Sequence, residues 1–403
     1  MATVKKRAWT TGKGDRKEAW RVRYVDQHGV TRTRQFDLKR DADAFRITAE
    51  GEVVSGVHTA DRASVTVSEA ASIWIAAREA DGCDRGTLKT YSEVVNRHII
   101  PLIGTEKLSR LTGPKVVDFR DALLATRSYV MASKALRHLS MILIDAQSRG
   151  LVAQNVAHSV KVKRPTDQKG RLAKRAEIPP AVDLKALIKA ADALKDKDPR
   201  LPVMLRIAML AGLRASEIRG LSWAGVDLAR QHITVSQKAD RWNEIHLPKS
   251  AAGHRSIPIG PALTTAMKAW KLQCPPSALG LVFPNRPKGR QTEASKGSTS
   301  GGPIKQHTMA KLLLTVQTSA GIAKDTGRKT GEGEPIWALR YDWHHLRHVA
   351  ASNWLNDGID LKRLQTWIGH ENIQLTIDVY GHLMADPKKD AVLAAAAEAA
   401  LLG

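Results

Sequence analysis

Apolar and polar positions fall into three regimes along the chain. Ala19 to Val25 (AWRVRYV) alternates in character and is rich in strand formers. Residues 26–29 (DQHG) make a turn, and Val30 to Phe36 (VTRTRQF) alternates again. The pair predicts a β-hairpin with Arg21, Arg23, Arg32 and Arg34 on one face. Lys39 to Val53 follows with helical spacing of Ala42, Phe45 and Ala49. From residue 64 to 163 the period is helical throughout. Ser64 or Ser68 can cap a helix carrying Ala70, Ile73, Trp74 and Ala77. Thr87 to Ile100 sets Leu88, Tyr91, Val95 and His98 in register, and Pro101 is expected to end it, with Gly104 at the turn. Thr112 can cap a third helix through Val116, Phe119 and Leu123, and Tyr129 to Arg149 makes a long fourth. Four helices of this kind predict a compact all-α bundle.

The pattern lapses over Lys161 to Pro180 (KVKRPTDQKGRLAKRAEIPP), which is basic, proline-punctuated and poor in apolar residues; residues 164–180 read as a linker. From Ala181 helix and strand signals mix. Pro202 to Leu213 is an apolar helix, and Arg214 to Leu221 opens another. Short strands are expected at His232 to Val235, Glu244 to Leu247 and Ser256 to Ile259, with Lys249 and Gly253 in the turn between the last two. Pro261 to Leu272 and Ile304 to Ile322 read as helices, Leu281 to Pro284 as a short buried piece, and Lys288 to Gly302 and Thr326 to Glu334 as polar loops. Pro387 to Leu402 is a last helix, with Val392, Leu393, Ala396, Ala397, Ala400 and Leu401 on an apolar stripe. The fold class expected is therefore multidomain α+β: a hairpin-plus-helix module (1–60), an all-α bundle (64–163), a linker (164–180), a mainly α domain with a small antiparallel sheet (181–386) and a C-terminal helix (387–403).

Charge narrows the partner. The 403 residues carry a formal net charge of +23, spread along the chain and not confined to a tail. Nucleic acid is the natural counterpart of such a surface. Arg21, Arg23, Arg32 and Arg34 of the hairpin, and Lys89, Arg97, Lys134 and Arg137 of the bundle, are the candidate phosphate contacts. The two cysteines, Cys83 and Cys274, are far apart and form neither a disulfide framework nor a metal cluster, which fits a reducing, cytoplasmic setting. No apolar run is long enough to span a bilayer, and no signal-peptide core is apparent at the N-terminus. No G-x-x-x-x-G-K-[ST] loop occurs, and neither a nucleotide nor a metal is expected as cofactor.

Candidate chemistry concentrates in residues 344–382, HHLRHVAASNWLNDGIDLKRLQTWIGHENIQLTIDVYGH. His344 and Arg347 are three apart and share a helix face. A Gly369-His370 turn follows, and Tyr380 comes ten residues after His370. Imidazoles, a guanidinium and a phenol together suit chemistry on a phosphate: the guanidinium forks onto the anion, and the phenol attacks phosphorus. Upstream, AGLRASEIRGLSWAGVDL places Arg214 and Glu217, and LPKSAAGHRSIPI places Lys249.

In this order the motifs resemble the tyrosine recombinases, in particular phage-type integrases. The resemblance covers the whole catalytic half and extends more weakly to the helical bundle, which is similar to the family's SAM-like core-binding domain. The hairpin module is similar to arm-site-binding domains in pattern only. It implies catalytic roles for Arg214, Lys249, His344, Arg347, His370 and Tyr380, with Tyr380 as the nucleophile of a 3′-phosphotyrosine intermediate. It also implies double-stranded DNA with core and arm-type sites as substrate, a homotetramer on DNA, a Holliday-junction intermediate and integration or excision of a mobile element such as a prophage. An excisionase and a host DNA-bending protein are partners it admits.

Simple electrostatics supports the same roles. Arg214 and Arg347 can fork onto the non-bridging oxygens, and His370 can add one donor. Tyrosine, with an ordinary pKa of about 10, needs a base or a strongly positive site, and His344 is the expected proton acceptor or relay. Lys249 is the expected general acid for the leaving 5′-oxygen, with Lys238 a neighbour that competes for the assignment. Glu217 is expected to orient an arginine. His345, His348 and His382 are expected to be structural or to face DNA, and Trp223, Trp354 and Trp367 to be core. Two rivals share parts of this pattern: a type IB topoisomerase-like enzyme and a non-catalytic DNA-binding regulator on the same fold.

Overall fold

A computed structural model describes residues 2–10, 12, 16–26, 29–54, 64–163, 176–285, 301–383 and 387–402. The chain divides into two compact units, Met1–Gly170 and Arg171–Gly403. The boundary falls in the stretch expected as linker, of which residues 164–175 lie outside the described residues, as does most of the expected loop at 288–302.

The first unit starts with a three-stranded antiparallel sheet, Thr3–Thr10, Arg16–Val25 and Thr31–Phe36, backed by the helix Lys39–Val54. The sequence predicts only the last two strands. The first, TVKKRAWT, is too cationic to show an apolar alternation and is held by its register against Arg16–Val25. Val22 and Tyr24 are buried with Ala42 and Ala49, and Trp20, Phe36 and Phe45 pack against them.

That register corrects the expected arginine face. Arg34 lies opposite Val22 and Arg32 opposite Tyr24, so both arginines of the third strand share the helix-covered side. Arg32 donates to the Asp26 carboxylate at 2.8 Å, and the Arg34 guanidinium lies over Phe36 and Phe45, 5.2 and 4.8 Å from the ring centres. Arg21 and Arg23 point the other way, across from Gln35 and Thr33, and Lys5 lies opposite Arg21 on the first strand. A period of two allows no other outcome once Val22 is buried.

Residues 64–163 form the expected bundle: Val67–Ala80, Arg85–Val94, Gly113–Thr126 and Tyr129–Ser148. Its core runs from Val67 and Trp74 through Ile99 and Phe119 to Leu139 and Leu143. The first cap is Thr66, not Ser64 or Ser68: Thr66 Oγ1 accepts from the Glu69 amide while Glu69 accepts from the Thr66 amide. Ser64 is buried and accepts from the Ser109 amide at 3.0 Å. Thr112 precedes its helix without a side-chain cap bond; Pro114 starts the helix instead. Pro101 does not end the second helix. A single π turn, Val95–Ile99, widens the backbone just ahead of it, and Ile100–Ile103 carries on. Lys89 is exposed, whereas Lys134 is half-buried near His138, whose burial, then Lys134 and Arg137, push its pKa down to about 4.

The second unit is built on the helices Ala181–Ala193, Arg200–Arg206, Pro261–Gln273 and Gln306–Ser319, with a core including Leu187, Met204, Trp270 and Phe283. A three-stranded antiparallel sheet, Val226–Asp227, His232–Val235 and Arg255–Pro258, flanks them. The strand expected at 244–247 pairs elsewhere: Ile245–His246 joins Lys238–Ala239 in a separate hairpin. The expected loop at 326–334 is the centre of another hairpin, Lys324–Lys329 with Pro335–Ala338. Its strands are almost wholly exposed, so burial imposed no alternation for the sequence to display. Trp223, Trp354 and Trp367 pack against the core as expected. No helix among the described residues is long and apolar enough to cross a membrane.

Candidate active site

Two helix ends set the frame. Arg200–Arg206 continues as a π turn, Ile207–Ala211, and stops at Gly212 with φ +60°. Leu361–Ile368 stops at Gly369 with φ +68°. Both are left-handed caps of the kind that favours glycine. At Gly369 a Cβ would also meet Arg255 Nη1 at 2.9 Å and the Ala252 carbonyl at 3.0 Å.

Arg214 is the N-cap residue of Ala215–Gly220, which sets Glu217 one turn on. Its amide donates to Glu217 Oε2 (2.8 Å), its Nη1 to Glu217 Oε1 (2.7 Å) and its Nη2 to the Gly369 carbonyl (2.8 Å). Arg347, on Trp343–Asn356, is 1% exposed and donates to the Gly212 carbonyl at 2.6 Å and to the Ile368 carbonyl; its Nη1 lies 3.8 Å from Glu217 Oε2. Glu217 thus contacts both of these arginines.

Arg255 is the residue the sequence reading passed over. It stands just ahead of the strand expected at Ser256 to Ile259, in the turn segment that holds Lys249 and Gly253. In the structure it is buried and donates to both Glu217 oxygens at 2.9 Å and to the Trp367 carbonyl at 2.7 Å. Burial alone would raise the pKa of Glu217; the hydrogen bonds and charge of Arg255, then the charges of Arg347 and Arg214, bring it down to about 2. Burial lowers Arg347 to about 9, and its neighbour Arg214 adds to the effect. Three guanidinium groups around one carboxylate leave positive charge in excess, ready for an anion.

A cavity of about 240 Å³ opens beside this cluster, lined by Arg214, Glu217, Lys238, Lys249, Ser250 and Gly369 among others. Both lysines considered from the sequence therefore reach it. Lys238 rises from the short hairpin and Lys249 from the turn that precedes Arg255–Pro258. Asp240, Glu244 and His246, at the hairpin turn, group potential metal ligands, but Asp240 Oδ1 is taken by the Trp242 and Glu244 amides that close the turn.

Tyr380 ends the helix Ile373–Tyr380 and is 0% exposed. Burial pushes its phenol up to about 12, against the opposing charges of Arg347 and Arg214. The His370 ring stacks beside it, 6.4 Å between centres and 15° from parallel, and His370 Nδ1 pairs with Thr376 Oγ1 at 3.0 Å. Burial, then Arg347 and Arg214, bring His370 down to about 3. Here the sequence expectation needs correction. The partner of the Tyr380 hydroxyl is His348, at 2.6 Å from Nδ1, and not His344. His344 stands behind it, ring centre 4.6 Å from that of His348. A helix places residues 344 and 348 on one face, but only the C-terminal of the two reaches the phenol. His345 closes the helix cap with Asp342.

Residues 180–386, just over half of the chain, match the sequence profile described as the phage integrase family. The chain belongs to the phage integrase family. All six motif positions of this family member lie inside the matched span. Among its relatives, the tyrosine recombinase XerC of Xylella fastidiosa is 28% identical over 180 residues, 45% of this chain and 47% of that protein. The chain spans about half the length of the first curated relatives it matches, 47% and 61%. The Tn1549 transposon integrase (residues 82–397), solved with circular intermediate DNA, shares the fold with a TM-score of 0.60 at 15% identity, over 82% of this chain and 99% of that one. The lambda integrase tetramer bound to a Holliday junction aligns with a TM-score of 0.54 at 15% identity, over 91% of this chain and 95% of that one.

Proposed function

We propose that this protein is a site-specific DNA recombinase of integrase type. It cleaves one strand through a 3′-phosphotyrosine on Tyr380 and passes that strand to a 5′-hydroxyl of another duplex. One observation carries the proposal: Glu217 gathers Arg214, Arg255 and Arg347 against the Gly369 turn, and the adjoining His370 stacks on a buried tyrosine. Arg214 and Arg347 stabilise charge on the non-bridging oxygens, and His370 donates beside them. Lys249 protonates the leaving 5′-oxygen. The ester stores the energy of the broken bond, so the residues need no metal or nucleotide for the exchange. The test is capture of covalent adducts from a pool of nicked, random-sequence duplexes carrying 5′-bridging phosphorothiolates. Adduct peptides should contain Tyr380, and the captured sequences define the core site. Peptides modified at another residue would defeat the assignment.

The domains take separate parts in this reading. Residues 64–163 and 181–386 hold the core site, with Lys89 and Lys134 beside its phosphates, and residues 1–60 hold a second, arm-type site. The support is the outward face carrying Lys5, Arg21 and Arg23. Deleting residues 1–60 should leave core-site footprints intact and remove arm-site footprints. The double change Arg21→Gln and Arg23→Gln should weaken arm binding and flatten its salt dependence by about one unit of log–log slope per lost phosphate contact. The double change Arg32→Gln and Arg34→Gln should lower the melting temperature of the module instead.

The tetramer expected on DNA is supported by the last helix, Pro387–Leu402, which leaves Val392 70% and Leu401 86% exposed. An alanine-rich helix of this length is marginal alone and gains from docking, here on a neighbouring protomer. Truncation after Met384 should keep monomer binding at the core site and weaken synapse formation and strand exchange, as read from native gels. Normal synapsis by the truncated chain would reduce the helix to an accessory. An excisionase and a host DNA-bending protein are proposed accessory partners.

A further inference from the structure

Resting on the recombinase reading, we infer that His348, outside the six motif positions, is the catalytic base that takes the proton from Tyr380. It is the side chain that touches the attacking atom: Nδ1 lies 2.6 Å from the Tyr380 hydroxyl, with the rings at 67° and 5.4 Å between centres. With the imidazole in the tautomer protonated at Nε2, the phenol donates and Nδ1 accepts, at hydrogen-bond distance.

The surroundings keep the imidazole neutral, as an acceptor must be. On its own helix it feels the charges of His344, His345 and Arg347, with Asp342 at the cap; from the Gly369 turn comes His370, and from the last motif helix Tyr380. Burial first, then the charges of His344 and Arg347, hold His348 at about 4. Asp342, the acidic neighbour, opposes this weakly.

The step balances without a further reagent. The Tyr380 Oη–H bond breaks and its proton goes to His348 Nδ1. The Oη electron pair forms the bond to phosphorus, the phosphorus–O5′ bond breaks, and O5′ takes a proton from Lys249. On religation the incoming 5′-hydroxyl returns its proton to Lys249, and His348 returns its own to Tyr380. Acid and base are thus separate residues reached from separate elements, and His344, packed against His348, positions the base.

The test uses the full chain and a duplex carrying the core sequence recovered from the random pool. That duplex is made with either an ordinary 5′-oxygen or a 5′-bridging sulfur at the scissile bond. Sulfur leaves without protonation, so it corrects a missing acid but not a missing base. Two variants are compared with wild type, His348→Ala and His348→Asn; asparagine can keep a hydrogen bond to the phenol but cannot take its proton. Both should lose about 100-fold or more in the rate of adduct formation. The loss should be the same on both substrates, DNA affinity should be unchanged, and the rate should rise with pH as hydroxide replaces the base. Lys249→Ala should be corrected by sulfur. Wild-type rate and pH profile in His348→Asn would overturn the inference, as would correction of either His348 variant by sulfur. If His348→Ala fails to fold, His348→Asn alone decides. Failure of wild type to form any adduct at Tyr380 would instead sink the recombinase reading.

Discussion

Tyr380→Phe will abolish covalent capture of DNA, by about 10⁴-fold or more, and leave DNA affinity almost unchanged. Tyr380 is wholly buried, so its ring contributes packing, while the proposed function assigns the chemistry to its hydroxyl. Phenylalanine fills the same space against His370 and His348 and removes one oxygen. The folding cost is that of leaving His348 Nδ1 without its partner, about 1 kcal/mol. Arg214, Arg347 and Lys249 keep their places, so the anion site still binds phosphate. Adduct yield on the phosphorothiolate duplex and a gel-shift titration, run on the same preparation, separate the two quantities. An adduct formed by the phenylalanine variant would show that another residue attacks.

The second large effect is on stability. Glu217→Gln should destabilise the unit formed by residues 171–403 by about 3–5 kcal/mol at pH 7, because a buried ion cluster then loses its anion and keeps its cations. Glu217 is held at about 2 against an ordinary 4.5. A carboxylate with a lowered folded-state pKa contributes stability that is fully present above 4.5 and is lost as pH falls toward 2. The gap in melting temperature between wild type and Glu217→Gln should therefore be wide at pH 7 and should narrow between pH 4.5 and 2. A gap independent of pH over that window would show that packing, not charge, is what the substitution removes.

The motif residues were legible because each belongs to a short local pattern: Arg214 with Glu217 three residues on, His344 with Arg347, Tyr380 in TIDVYGH. Their neighbours were not. Arg255 reaches Glu217 across 38 residues of sequence, and its own surroundings, HRSIP, carry no sign of a buried ion pair. His348 and His344 share a helical face, and sequence spacing cannot say which of them meets a tyrosine on another helix. The same limit governed the N-terminal sheet. Alternation fixed the inner residues of its second strand, but the side taken by Arg32 and Arg34 depended on register with that strand. Elements whose pattern is set by burial, such as the bundle and Arg200–Arg206, were found; exposed hairpins such as Lys324–Lys329 with Pro335–Ala338 were not, since burial does not shape their sequence.

The end of Leu361–Ile368 has a consequence for motion. Its last turn presents the carbonyls of Trp367, Ile368 and Gly369, which a helix leaves without internal partners. Arg255, Arg347 and Arg214 take one each. The guanidinium groups thus act as the cap of this helix, drawn also by the negative end of its dipole. Fraying of that single turn would take one acceptor from each of the three arginines at once, leaving Glu217 and the Gly212 carbonyl to hold them. The alignment of the anion site is therefore coupled to the closure of this helix end, so a local opening there would disturb all three guanidinium groups in one event.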